Sequence, residues 1–181
     1  MPLLWALLLG LFLGYLRRGG IGNLGKLHLR GLWLLIPPLL LQLLTFPLGS
    51  RGPIISWGTP YWHILSYLFL LGFVGCNWRY PELLGMGLGL FLNFLAIAAN
   101  GGYMPASAEA LRRAGLESLA RALEEGIRHG NTMLMGPSTR LNFLGDWLYF
   151  PSWVPLSSAF SIGDVILGIG AAVFLARRMV R

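Results

Sequence analysis

The sequence predicts an all-α fold, a single membrane domain of five transmembrane helices with one extracytoplasmic amphipathic helical segment, and three observations predict it. Apolar residues make up 55% of the 181-residue chain, charged residues only 12%, and the mean hydropathy is +0.64, too apolar for a water-soluble domain. The apolar residues fall in long runs without charge. The basic residues, 14 against 7 acidic, collect at the ends of those runs, as the positive-inside pattern requires. The net charge of +7 is therefore a signal of membrane orientation, and nucleic acid is not among the expected partners.

Residues 3–16 form the first span, shorter than the roughly 20 residues usual for a crossing. They lack the basic start and small-residue cleavage site of a signal peptide, so the helix is read as retained. Gly10 and Gly14 stand four apart, the spacing that lets helix backbones approach closely. The next segment carries Arg17, Arg18, Lys26 and Arg30 and no acid, which places it in the cytoplasm. Its glycines do not make a phosphate loop, since no Gly-Lys-Ser/Thr follows.

Residues 31–48 are the second span, kinked in its middle by Pro37 and Pro38. An outer loop with Arg51 and the interfacial Trp57 follows. The third span, 62–76, begins with His63, a candidate haem, pigment or metal ligand whose alternative is a hydrogen-bonded interfacial histidine. The lone Cys76 allows no internal disulfide and reads as a small packing residue. After a turn around Pro81, the fourth span, 83–99, carries Gly85, Gly87 and Gly89 for close packing and Asn93 to hydrogen-bond a neighbouring helix.

The outer loop, 100–158, holds the charged stretch 106–129. Leu116, Leu119, Ala120, Leu123 and Ile127 follow helical spacing, and Gly115 breaks it. Two short helices starting near Ser107 are expected to lie on the membrane or cap the bundle. Residues 130–158 read as irregular and aromatic. The last span, 159–176, leads to Arg177, Arg178 and Arg181, which fix a cytoplasmic C-terminus and an external N-terminus.

Two aspartates flank this last span, Asp146 and Asp164. A carboxylate inside a span costs roughly 2.5–3.5 kcal/mol at the bilayer centre and less near an end. Counted from residue 159, Asp164 lies roughly 7–8 Å below the outer end, so it needs a partner or a chemical role. Asn100 leaves the membrane on the same face, and the three are expected to converge.

Asn100-Gly101-Gly102-Tyr103-Met104-Pro105, the His129 that ends the amphipathic stretch, Thr139-x-Leu141-x-x-Leu144-Gly145-Asp146, and Ser161-Ile162-Gly163-Asp164 together resemble a family of bacterial multi-pass membrane proteins defined by a domain of unknown function. The resemblance covers essentially the whole chain and implies a fold and a bacterial cytoplasmic-membrane address, but no reaction. Asn100, Gly101, Gly102, His129, Thr139, Asn142 and Ser161 are read as a polar cluster that serves either substrate or structure. A weaker likeness is to the lipoprotein signal peptidases, intramembrane aspartyl enzymes with two aspartates at comparable separation.

Three functions follow as expectations. The first is a non-catalytic accessory or assembly subunit of a larger membrane complex, with the lipid bilayer and other membrane proteins as partners and no cofactor. The second is an outer-face hydrolase using Asp146 and Asp164 as a carboxylate pair, one ionised and one protonated. The third is a small-molecule carrier, prompted by Pro37, Pro38 and Asn93.

Overall fold

The computed structural model describes residues 1–45, 55 and 57–180; the outer loop expected around Arg51, and Arg181, lie outside the described residues. The apolar runs are helical: α1 (Pro2–Leu16), α2 (Ile36–Thr45), α3 (Thr59–Cys76) and α4 (Pro81–Ala99). Each of the last two has a proline in its first turn, where a missing N–H costs no helical hydrogen bond. A cap follows, made of β1 (Met104–Ala106), α5 (Ala108–Arg113), α6 (Glu117–Glu124), β2 (Thr132–Leu134), β3 (Leu148–Tyr149) and β4 (Ala159–Phe160), and the chain ends in α7 (Ile162–Arg178). Among the described residues, α4 is the one helix both long and apolar enough to cross a membrane. Helix α1 is apolar but short, and α3 begins with the polar run Thr59 to His63.

Helix contacts place the five in a row, α1–α7–α4–α3–α2. Their directions alternate along the sequence. Asn77 at the end of α3 bonds the backbone of Arg30 ahead of α2, and His63 near the start of α3 bonds Gly102 beyond the end of α4. Glu82 at the start of α4 meets Arg178 at the end of α7. Helices α1 and α7 run parallel, since the amino group of Met1 bonds Leu156 and Ser158 while Arg17 reaches Ala176. Small residues permit these approaches: a Cβ on Gly10 would stand 2.8 Å from the Ala172 backbone, and one on Gly89 2.4 Å from the Gly163 carbonyl. The expected glycine packing is thus built into α1 and α4.

Local structure departs from the expectations in five places. Pro37 and Pro38 do not kink the middle of a helix; a 3-10 turn (Leu32–Leu35) precedes α2 and the prolines occupy its first turn, where no donor is lost. The segment 130–158 is not wholly irregular, because β2 pairs in parallel with β1 and β3 pairs antiparallel with β4. Cys76 is exposed, not packed. The last helix starts at Ile162, not at residue 159. Two short helices do form within the charged stretch, with Ser107 capping α5 and Gly115 at φ +77 breaking it from α6, but α6 ends at Glu124 and Ile127, expected on the apolar stripe, lies exposed beyond it. Their Leu111, Ala120 and Leu123 pack on Ala106 and Leu134, so the apolar face covers the cap's own core.

Candidate functional site

Asp164 is the third residue of α7, and its position follows from local chemistry. The Ser161 hydroxyl accepts from Asp164 N at 2.9 Å, and the Asp164 Oδ2 accepts from Ser161 N at 3.1 Å, a reciprocal capping box. The other carboxylate oxygen accepts from Asn93 Nδ2 at 2.8 Å. The Ser161 hydroxyl donates in turn to Asn93 Oδ1 at 2.7 Å. Gly163 is the residue that permits this ring, since a Cβ there would fall 2.0 Å from Asn93 Oδ1. Asp164 is therefore not a stranded carboxylate deep in a span; it is the cap of the helix, and both its oxygens have donors.

Asp146 is held by its backbone. Its N–H donates to Pro105 O at 2.8 Å and its carbonyl accepts from Ser107 N at 2.9 Å, so it lies beside β1 on the edge opposite β2. Gly145 is required there, because a Cβ would approach Pro105 O to 2.6 Å. The motifs Asn-Gly-Gly-x-Met-Pro and Leu-Gly-Asp, forty residues apart, thus form one backbone joint. The Asp146 side chain is partly accessible but largely surrounded by protein. Burial first, and then the negative charge of Asp164, push its carboxyl up to about 8. No hydrogen-bond donor within the described residues offsets that shift. Of the possible partners in sequence, Arg112 pairs with Glu117 and Glu124, and Arg140 is exposed, its backbone bound to Asn100.

Tyr67 of α3 completes the neighbourhood. It is placed against Asn93 and within the field of both aspartates, and its ring packs edge-on to His63 with centroids 5.4 Å apart. Tyr67 was not among the residues singled out by the sequence; its spacing of four from His63, on one face of an apolar helix, is the signal that could have found it.

The remaining predicted residues are placed apart from the carboxylates. Asn100 pairs its amide with the backbone of Arg140, 2.8 and 2.7 Å, and with Ala96 O at 2.7 Å; it clamps a loop and gives no group to the pair. Thr139 bonds Asn142 and Gly136, and Asn142 also bonds Gly136, closing one turn. Gly101 and Gly102 have φ of +65 and +93, which a turn after α4 needs, and a Cβ on Gly102 would collide with Pro60. His129 is exposed beyond α6. His63 is buried, with Nδ1 donating to Gly102 O at 2.8 Å and Nε2 facing Asn131 Nδ2 at 3.2 Å, so both ring nitrogens are engaged within the protein. Among the described residues no group of three or more His, Cys, Asp or Glu is arranged to hold a metal ion.

At the opposite end of α7 stands an ion cluster that the sequence reading treated only as topology markers. The Glu82 side chain, 1% exposed, lies 2.6 Å from Arg178 Nη2 and 3.2 Å from Arg177 Nη1. Arg178 also covers the Tyr80 ring at 4.8 Å.

No curated protein and no solved structure matches the chain. A family model does match, over residues 26–176, which take in α2 to α6, both carboxylates and all but the last turn of α7; the chain belongs to DUF5317, a family of unknown function.

Proposed function

We propose that the chain is a multi-pass protein of the bacterial cytoplasmic membrane, N-terminus outside and C-terminus inside, that serves as a non-catalytic accessory or assembly subunit packed against other membrane proteins. The observation that carries this reading is how the polar residues are used: Asn100, Ser161, Asp164 and His63 are each already bonded to another element, and Thr139 and Asn142 are bonded to each other within one turn. Polar groups engaged in this way hold a scaffold. The alternating helix directions support the topology, as does the gathering of Arg17, Arg30, Arg79, Arg177 and Arg178 at one end. Exposed Leu8, Leu9 and Phe12 on α1, and Ile36 and Leu39 on α2, offer apolar faces to lipid or to partner helices.

The test is fractionation followed by gentle extraction of the tagged chain. It should stay in the membrane pellet after an alkaline wash and elute with other membrane proteins, and Asp146→Asn should assemble and function as the parent does. Recovery in the soluble fraction, or elution as a lone chain, overturns the reading. Cysteines placed at Ser107 and Ser138 should react with an impermeant thiol reagent from outside, and labelling of Gly22→Cys from outside would overturn the topology.

One observation favours a second reading, an outer-face hydrolase: burial and the charge of Asp164 push the Asp146 carboxyl up to about 8, while Asp164 is an oriented carboxylate. An acid and a base side by side are what general acid–base hydrolysis uses. Under this reading Asp146→Asn abolishes cellular function while the complex still assembles, the opposite of the accessory-subunit outcome.

A further inference from the structure

We propose that the groove between α1 and α7 is a binding site for one anionic glycerophospholipid, its acyl chain along the groove and its phosphate on Arg17 and Arg177. This rests on the membrane reading above. The groove has a volume of about 770 Å³, within the roughly 300–1,000 Å³ of small-ligand sites. Its walls are apolar, from Leu9 and Leu13 on α1 and Val165, Ile169 and Val173 on α7. Its two ends carry opposite charge, Asp164 at one and Arg17 with Arg177 at the other. Both Asp164 and Arg177 lie on α7, thirteen residues apart, so the helical rise separates them by about 20 Å. That is the scale of a single extended acyl chain, since two opposed leaflets make a hydrocarbon core about 30 Å thick.

Charge decides what fills the groove. In a membrane, lipid tails are as apolar as leucine, so the walls alone select nothing. Glu82 neutralises one of the nearby guanidiniums of Arg177 and Arg178, which leaves two net positive charges at the mouth once Arg17 is included. Arg17 donates one hydrogen bond, to Ala176 O at 3.3 Å, and the Arg177 side chain is still 46% exposed. A guanidinium has five donors in a fork that suits phosphate, so both arginines retain donors for a headgroup. The far end offers a phosphate no comparable seat, since Asp164 is negative there and the Met1 ammonium is already bonded to Leu156 O and Ser158 Oγ, so the headgroup is favoured at the arginine end.

The full chain, purified in mild detergent, is incubated with equal amounts of dioleoyl-phosphatidylglycerol and dioleoyl-phosphatidylcholine and analysed by native mass spectrometry. The expected result is one phosphatidylglycerol per chain, favoured about tenfold or more. Each arginine near an anionic lipid contributes about five- to tenfold, so Arg17→Gln with Arg177→Gln should reduce retention about twentyfold or more. Arg17→Lys with Arg177→Lys keeps the charge and should keep the preference. Val173→Trp fills the groove one helical turn from Arg177 without removing either charge and should also abolish retention, which keeps the test decisive if the glutamine pair does not fold. Equal retention of the two lipids, or unchanged retention in Val173→Trp, overturns the inference. A chain that stays membrane-bound on alkaline washing yet shows no preference loses this site alone, whereas a soluble chain loses the membrane reading with it.

Discussion

The two ends of the α4–α7 pair hold their acids in opposite ways. At one end Glu82 is fully covered and faces two guanidiniums. At the other, Asp164 is held by an amide, a backbone N–H and a helix cap, while Asp146 has no side-chain donor among the described residues and feels Asp164's charge. The first arrangement neutralises a buried charge and leaves nothing to react. The second leaves an unneutralised acid beside a fixed one. Within one helix pair, then, the identity of the partner rather than the depth of the acid separates a structural carboxylate from one with chemical freedom.

The strongest way to break the comparison is at the covered end. Glu82→Ala leaves Arg178, whose side chain is 11% exposed, without an anion, and breaking a buried pair in this way costs about 3–5 kcal/mol. Thermal unfolding in detergent should show it as a large loss of melting temperature. Arg178→Gln should cost more than Arg177→Gln, because Arg177 at 46% exposure can return to water. If Glu82→Ala melts with the parent, the cluster does not hold α4 to α7.

A smaller effect is expected from Gly163→Ala at the Asp164 end. The added methyl would stand 2.0 Å from Asn93 Oδ1, so either Asn93 leaves Asp164 or the helices part. Overpacking of this kind costs about 1–3 kcal/mol. A double change, Gly163→Ala with Asn93→Ala, should recover part of that loss by removing the colliding group. No recovery would mean that the clash is with backbone rather than with the amide.

The helices were legible in the sequence because apolar runs bounded by charge, proline and glycine leave few alternatives. The break at Gly115 and the cap at Ser107 were legible for the same local reasons. The joint between Pro105 and Asp146 was not, since a backbone ladder closed across forty residues has no side-chain periodicity to announce it. An apolar run counted from residue 159 makes Asp164 the sixth residue of a span, whereas Ala159 and Phe160 pair as β4 and Ser161 caps a helix that begins at Ile162. The capping box, serine followed three residues later by an acid, was in the sequence all along. Arg177 and Arg178 counted as topology markers, and nothing in a one-dimensional pattern tells that Glu82, 96 residues from Arg178, returns to meet them.

The comparison is sharpened most finely by Asp146→Asn, read against pH. The folded Asp146 carboxyl keeps its proton to about 8, whereas an aspartate in the unfolded chain loses it near pH 4. Between those values the folded chain binds the extra proton, so this group's effect on stability is absent below about pH 4 and grows as a penalty as pH rises to about 8. Asparagine is nearly the same shape and never ionises. The variant should therefore match the parent at pH 4 to 5 and exceed it at pH 8, by about 1–2 kcal/mol or ~2–8 °C in melting temperature, because partial access to water screens part of the full shift. Asp164→Asn should move the parent's transition to lower pH without abolishing it, since burial outweighs the neighbour's charge. A parent whose melting temperature is flat from pH 5 to 8, or an Asp146→Asn variant with an unchanged slope, would show that Asp146 ionises like an exposed aspartate, and the contrast between the two ends of α7 would rest on hydrogen bonding alone.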